Sequence, residues 1–215
     1  GLTEELKGAL SANVKGLVTD LGKLDAYLII PKAIRELSYQ FIDKYFMAIL
    51  SEALRDGIAY GYLQGTGKEQ PIGIYKQIDK TNEDGTHQDK TVNTDLTKFT
   101  PKGLAPAKVY LSNKGKRLVN KIYVICNPED EANYVAPAIY DAEGNLVSSF
   151  KNIEVIPCTE NPKGKAALTL EGKYTMGITE VKINEYKETL ATDDADLIVG
   201  KVYANGRATA DNVAY

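Results

Sequence analysis

The chain has 215 residues, of which 43% are hydrophobic and 26% are charged, and its formal net charge is −3. This composition predicts one large domain or two small intertwined ones around a real core, and it excludes a disordered chain. Acidic and basic residues are mixed, so the chain lacks the concentrated basic surface typical of tight nucleic-acid binding. No run of about 18 apolar residues predicts a membrane span, and the opening residues do not have a signal-peptide pattern.

The first predicted element is an amphipathic helix over residues 2–21, because apolar residues recur there every three to four positions. The apolar positions are Leu2, Leu6, Leu10, Val14, Leu17 and Leu21. Thr3 is its predicted cap and Gly22 its predicted end. Its apolar stripe packs either on its own domain or on a neighbouring subunit, and the sequence leaves both open. Because the chain opens abruptly at Gly1, we expect it to be a processed or shortened piece of its natural protein.

A short strand, Tyr27–Ile30, and a long helix follow. Pro31 suits the first position of a helix, and a helical apolar period then continues from about Lys32 to about Leu63. A helix of that length would be roughly 45 Å long, which is typical of a strut that crosses a domain. Gly57 and Gly61 weaken its last turns.

The remainder of the chain has the pattern of strands and turns. Residues 79–106 are polar and predict a long surface loop with a short helix. The predicted strands are Ile122–Cys126, Tyr134–Ile139, Ile153–Ile156, Ala166–Leu170, Tyr174–Ile178, Val181–Tyr186 and Leu197–Tyr203. The predicted turns are Asp141–Gly144, Asn161–Gly164, Glu171–Gly172 and Ala204–Gly206. The fold class is therefore α+β, with helices first and then a mostly antiparallel set of strands.

Gly65–Gly73 is the segment that invites a nucleotide-binding interpretation. A P-loop needs Ser or Thr after its Gly-Lys pair and comes after a strand, but Glu69 follows Lys68 and a helix precedes this loop. The dinucleotide pattern fails because Gln70 occupies the third glycine position. The sequence favours a structural turn that redirects the chain out of the long helix.

Residues 80–91 have the spacing of a calcium loop only in their middle. Asn82, Asp84 and Gly85 fit, but Lys80 and Thr91 occupy the first and last ligand positions. A solvated acidic turn is therefore predicted.

The remaining candidates for chemistry are isolated. His87 is the only histidine and is predicted to be an ordinary surface residue. The acid cluster Asp193, Asp194 and Asp196 is predicted to be a hydrated loop, because no basic or apolar partner is near it in sequence. Cys126 and Cys158 lie in apolar runs, which predicts two buried thiols in a reducing compartment. We therefore predict no catalytic, cofactor-binding or metal-binding residue, and a protein that is not an enzyme.

Several segments, in this order and spacing, resemble the tailed-bacteriophage major capsid proteins of the Hong Kong 97 type. They are Leu24–Lys32, Leu63–Ile74, Ile125–Pro128, Asp141–Gly144, Val155–Pro157 and Lys201–Gly206. In that family the loop after the long helix reads approximately Gly-Asp-Gly-Thr-Gly-x-x-Pro-x-Gly. This chain lacks the first Gly-Asp pair but keeps Gly65-Thr-Gly67, Pro71 and Gly73.

The resemblance implies a phage major-capsid fold with a long spine helix, a peripheral domain and a mixed α/β axial domain. Residues 1–23 would be a helical remnant of the extended loop, and residues 24–64 would form the peripheral domain with the spine helix. Residues 65–196 would form the axial domain, and residues 197–215 would return to the peripheral domain.

The resemblance also implies a structural function: a major capsid subunit that self-assembles into an icosahedral head shell around phage double-stranded DNA. The implied partners are copies of the same chain in hexamers and pentamers, together with a scaffolding protein and a maturation protease. The implied location is the virion, assembled in the cytoplasm of the bacterial host, with no cofactor, no membrane and no sequence-specific DNA contact. Because the family's N-terminal arm is absent, we expect a monomer or small oligomer in solution.

Two alternatives stay open. The first is an encapsulin-like shell subunit, which encloses cargo proteins in place of a genome. The second is an enzyme of unknown class that uses the Gly65–Gly73 loop as an anion site.

Overall fold

The computed structural model of the protein describes residues 15–19, 22–36, 39–91, 99–147 and 150–215. These residues form ten strands: β1 (Lys15–Thr19), β2 (Lys23–Pro31), β3 (Lys76–Thr81), β4 (His87–Asp89), β5 (Ile122–Cys126), β6 (Ile153–Pro157), β7 (Ala166–Thr169), β8 (Tyr174–Ile178), β9 (Lys182–Leu190) and β10 (Ala195–Ala208). The helices include α1 (Lys32–Glu36), α2 (Tyr39–Gln64), α3 (Ala105–Leu111), α4 (Pro128–Asp130), a π-helical segment (Glu131–Val135) and α5 (Ala136–Ile139). Short 3₁₀ turns lie at Ala191–Asp193 and Asp211–Val213.

The chain divides into two compact units, Gly1–Ile58 with Gly177–Asn205 and Ala59–Met176 with Gly206–Tyr215. These boundaries place residues 177–196 in the first unit and residues 206–215 in the second. The assignment of segments to a peripheral and an axial domain stays a prediction.

An antiparallel sheet with one helix-covered face organises the first unit. Strands β1, β2 and β10 are neighbours, and β9 pairs with the other side of β10. Alternate residues of β2 and β10 are buried on one face, as the two-residue period of a strand requires. The helix residues Phe46, Leu50 and Leu54 pack against that face and are at most 2% exposed. Full burial of each such side chain contributes about 1.5–3 kcal/mol.

The expected helix over residues 2–21 is wrong for residues 15–19, which form β1, while residues 1–14 lie outside the described part of the chain. Backbone pairing with β2 decided this, since Lys15 lies opposite Tyr27 and Thr19 lies opposite Lys23. Gly22, expected to end a helix, instead lies in a turn before β2 with φ +72°.

The long helix predicted from about Lys32 to about Leu63 is confirmed over Tyr39–Gln64, which form α2, and these 26 residues correspond to about 39 Å. Residues 32–36 belong to α1, and residues 37–38 lie outside the described part of the chain. Pro31 does not open a helix, because it is the last residue of β2 and lies opposite Ala195. The next residue, Lys32, begins α1, and its N–H donates to the carbonyl of Asp194 at 2.9 Å.

The second unit contains a three-stranded sheet, β6-β5-β7, in which β5 pairs parallel with β6 and antiparallel with β7. One face of β5, with Ile122, Val124 and Cys126, lies in a core that α3 and α5 also supply. Ile125 belongs to a separate cluster with Leu63 and Ile74.

Three further expectations are corrected. The polar stretch 79–106 includes the β3–β4 hairpin and the start of α3, so it is not one long loop. Residues 134–139 are helical: Asn127 accepts a hydrogen bond from the N–H of Glu129 at 3.0 Å and caps a helical run beginning at Pro128. Residues 204–206 continue β10 and do not form a tight turn.

Candidate functional site

The backbone N–H groups of the Gly65–Gly73 loop donate hydrogen bonds to carbonyl groups of the same chain. The N–H of Gly65 donates to the carbonyl of Gly61 at 3.1 Å, that of Gly67 to Pro71 at 3.1 Å, and that of Gly73 to Gly65 at 2.8 Å. Further along, the N–H of Ile72 donates to the carbonyl of Gly206 at 2.8 Å. An anion site requires several backbone N–H groups that converge on an empty position, and these groups do not meet that requirement.

Side chains of the loop are also engaged. The Lys68 ammonium donates to the carbonyl of Asp84 at 2.8 Å, and the Gln70 amide oxygen accepts from the N–H of Thr66 at 3.3 Å. The carbonyl of Thr66 accepts from the N–H of His87 at 2.8 Å. The loop is therefore a structural joint between α2 and the β3–β4 hairpin.

Glycine is required at two positions of this joint because of close backbone approach. A Cβ atom at Gly73 would lie 2.5 Å from the carbonyl oxygen of Leu63 and 2.7 Å from the nitrogen of Gln64. A Cβ atom at Gly65 would lie 2.5 Å from the carbonyl oxygen of Gly61. Both obstacles are backbone atoms, which cannot rotate away as a side chain can.

The calcium-loop segment is the turn of the β3–β4 hairpin. One carboxylate oxygen of Asp84 accepts from the N–H of Thr86 at 2.9 Å and from its hydroxyl at 2.6 Å. The hydroxyl hydrogen bond is the main reason that the pKa of Asp84 lies below its usual value. Among the described residues, no three His, Cys, Asp or Glu side chains are grouped so as to hold a metal ion.

His87, expected at the surface, is partly buried at the start of β4. Its Nδ1 lies 2.7 Å from the carbonyl oxygen of Gln77, and its ring lies against Gly67. The imidazole therefore has a packing role in the same joint.

The three aspartates of the acid cluster have different environments, because two lie in the turn between β9 and β10 and the third lies on β10. Asp193 and Asp194 are exposed as expected, and the Asp194 carboxylate lies 3.6 Å from the Lys32 ammonium. Asp196, however, is only 4% exposed and lies on β10, so it does not belong to a hydrated loop.

The two cysteines differ in burial. Cys126 is fully buried, and burial raises the pKa of its thiol to about 11, which disfavours the reactive thiolate. Cys158 is partly buried.

The segment that follows β5 and the Asn161–Gly164 turn form hydrogen bonds with each other in the second unit. The side-chain amide of Asn127 donates to the carbonyl of Asn161 at 3.3 Å, and the buried Asp130 carboxylate accepts from the N–H of Gly164 at 2.7 Å. The buried Asn161 amide donates to the carbonyl of Lys165 at 2.7 Å, and its oxygen accepts from the Tyr75 hydroxyl at 2.8 Å.

Lys90 is the residue that sequence reasoning missed. Its ammonium donates to the backbone carbonyls of Asp211 and Ala214, at 2.8 Å each, and ties the C-terminal segment to the residue after β4. Burial lowers the pKa of Lys90 to about 8, although the nearby Asp211 carboxylate acts in the opposite direction. It lines a cleft of about 290 Å³ together with Tyr110 and Tyr215. No spacing in the sequence indicates this contact, because its partners lie more than 120 positions away.

No family model and no curated protein sequence matches the chain, but solved structures do. The capsid of an empty GTA particle is similar over 90% of this chain and 71% of its own, with a TM-score of 0.64 and 14% identity. A chain of Mycobacterium phage Che8 is similar over 93% of this chain and 70% of its own, with a TM-score of 0.57 and 10% identity. A virus-like particle from Pyrococcus furiosus is similar over 91% of this chain and 76% of its own, with a TM-score of 0.54 and 11% identity.

These similarities define the fold. The chain has the phage major-capsid fold, a mixed architecture of helices and strands, as the sequence resemblance implied. In the described part of the chain, no helix is both long enough and apolar enough to span a membrane.

Proposed function

We propose that the chain is a major capsid subunit, a structural protein that self-assembles into an icosahedral head shell around phage double-stranded DNA. The observation that carries this proposal is the similarity over 90% of the chain to the capsid of a GTA particle. A fold of this kind, with a helix strut and exposed strand edges, suits repeated self-association.

The internal use of polar groups supports a structural role over an enzymatic one. The glycine loop, Lys68, Asp84 and His87 form one hydrogen-bonded joint. A catalytic or anion-binding loop needs such groups to face a ligand, so the enzyme alternative loses the donors on which it depends.

The partners we propose are copies of the same chain, arranged as hexamers and pentamers of the Hong Kong 97 type, with a scaffolding protein and a maturation protease. The proposed location is the virion, after assembly in the host cytoplasm. DNA would be enclosed without sequence-specific contacts, in keeping with a net charge of −3.

An encapsulin-like shell without a genome is a second candidate, favoured by the similarity to the virus-like particle from Pyrococcus furiosus. The two candidates share the fold and the mode of self-association, and they differ in content. Nucleic acid inside the shell supports the phage head, and protein cargo supports the nanocompartment.

The test is to express the chain together with the coding region that flanks it in its genome, and to analyse the product by electron microscopy and light scattering. We expect uniform closed shells. If the protein stays monomeric at high concentration with a scaffold from the same genome present, the proposal is wrong. The ratio of absorbance at 260 nm to that at 280 nm in purified shells then distinguishes the two candidates.

A further inference from the structure

Strand β9 is exposed along almost its whole length. Of its nine residues, Lys182 to Thr189 are exposed on both faces of the strand, and only Leu190 is partly buried. The sheet topology of the described residues gives β9 one strand partner, β10, so its other backbone edge is directed away from the sheet. An edge of this length is a template for a further strand.

The charges on β9 restrict which strand fits. Its charged residues are Lys182, Glu185, Lys187 and Glu188, which sum to zero. Charges on an edge strand normally oppose pairing with arbitrary partners, but a complementary set permits one partner in one register. Two copies of β9 can therefore complement each other only in a register that places opposite charges face to face.

Two copies related by a two-fold axis pair antiparallel, and in such a pair one residue must lie directly opposite its own copy. Centring the pair on Tyr186, the middle residue of β9, sets all nine residues of each copy against the other. Within one copy, the pairing of β9 with β10 is regular from Lys182 to Tyr186 and has a bulge between Tyr186 and Leu190. Each Glu185 then lies opposite the Lys187 of the other copy, which gives two opposite-charge pairs on either side of a Tyr–Tyr pair. Such cross-strand pairs are favourable.

Shifting the centre by one residue is unfavourable. A centre at Glu185 places two carboxylates directly opposite each other, and a centre at Lys187 does the same with two ammonium groups. Like charges in directly opposed positions destabilise a strand pair. Within one strand, the Lys187 ammonium lies 4.0 Å from the Glu185 carboxylate, so the paired strands would form a square of four alternating charges.

We propose that β9 is a surface through which two copies of this chain associate, as an antiparallel strand pair centred on Tyr186. The inference rests on the proposed shell function and deepens it. An icosahedral shell has two-fold axes, and a contact across such an axis is isologous, with the same strand on both sides.

Disulfide trapping tests the register. In the proposed pair, two copies of Tyr186→Cys would have Cα atoms about 4.5–5.5 Å apart, within the range that a disulfide spans. Two copies of Thr189→Cys would lie six residues apart along the strands, roughly 20 Å, which a disulfide cannot bridge. We expect the first variant to form an oxidised dimer under mild oxidation and the second to remain at the parent level, set by Cys126 and Cys158.

Charge exchange tests whether the Glu185–Lys187 pairs stabilise the association of the two strands. In the Tyr186→Cys background, Glu185→Lys should lower the dimer yield several-fold, and adding Lys187→Glu should restore it, because the exchanged pair is again complementary. Glu143→Lys, an exposed residue on a turn of the second unit with the same charge change, is the matched control and should leave the yield unchanged. Circular dichroism of each variant shows that the fold is retained.

The outcomes separate this inference from the proposed function. Equal dimer yields for the two cysteine variants, or no rescue by the double exchange, overturn the β9 interface even if shells form. Selective trapping with rescue supports the interface even if no shell is seen. Trapping of Tyr186→Cys to a different protein, with no dimer of the chain, also overturns the proposal.

Discussion

The glycine loop and β9 are both polar, and they direct their polar groups in opposite ways. The loop turns its N–H groups, Lys68 and His87 toward its own chain. The charged residues of strand β9 are exposed, and among the described residues this strand pairs only with β10. Residues that suggest chemistry in the sequence therefore hold the fold together, whereas a segment with no recognisable motif offers the surface for a partner.

The largest effect should come from breaking the loop. Gly73→Ala should destabilise the protein by about 3 kcal/mol, because the new methyl group meets backbone atoms of Leu63 and Gln64 that cannot yield. Gly177→Ala is the control, since its methyl group would meet only a carbonyl oxygen at 3.9 Å, and it should change stability by less than about 0.5 kcal/mol. Urea unfolding measures both, and equal values would show that the joint tolerates side chains.

The next effect concerns Lys90, whose pKa of about 8 lies below its usual value because of burial. Between about pH 8 and pH 10 the unfolded chain binds more protons at this lysine than the folded chain does, so this residue makes stability rise with pH. The rise is at most about 1.4 kcal/mol for each pH unit. Burial also raises the pKa of Cys126, Tyr75 and Tyr174, so their contribution to stability falls as pH rises, from about pH 9 for the thiol and above about pH 10 for the two phenols. A comparison with a variant that keeps these three residues cancels their effect, and the measurement should stop near about pH 9.5.

The comparison is between the wild type and Lys90→Met, unfolded in urea at about pH 7 and about pH 9.5. The wild type should gain roughly 1–2 kcal/mol relative to the variant over this range. Lys116→Met, at an exposed position, is the control and should follow the wild type. If Lys90→Met shows the same pH dependence as the wild type, the pKa of Lys90 is not lowered in the folded protein.

A smaller effect on stability is expected at β9. Glu185→Lys should change the free energy of unfolding by less than about 0.5 kcal/mol, because an exposed edge contributes little to the fold of one copy. The same variant should nevertheless reduce association between copies. A loss of stability comparable to that of Gly73→Ala would mean that β9 belongs to the structural framework and would remove the contrast with the loop.

No effect is expected from anions at the loop. Phosphate or a nucleotide should leave the thermal unfolding temperature unchanged, because a ligand stabilises only the protein that binds it. Each kcal/mol of binding stabilisation would raise the unfolding temperature by about 2–4 °C in a chain of this size. A shift of that size, abolished by Lys68→Met, would restore the anion-site interpretation.

The local sequence pattern by itself determined several secondary-structure elements of this protein. The long helix, predicted from about Lys32 to about Leu63 and found over residues 39–64, follows from apolar spacing, as do the strands at 122–126 and 174–178. The structural character of the glycine loop follows from turn chemistry, and both signals act between residues close in sequence. The ordered motifs also pointed to the capsid fold, which the solved structures confirm.

Only the tertiary structure decided the remainder, because the deciding contacts join distant positions. Residues 15–19 have a helical period but form a strand, since pairing with β2 satisfies their backbone groups. Residues 134–139 contain β-prone side chains but continue the helical run that the Asn127 cap begins. Lys90 acquires its lowered pKa from burial among residues that are remote along the chain. Strand β9 acquires its position at the edge of the described sheet from its pairing with β10. Burial and strand pairing are properties of the folded chain, and a local pattern does not contain them.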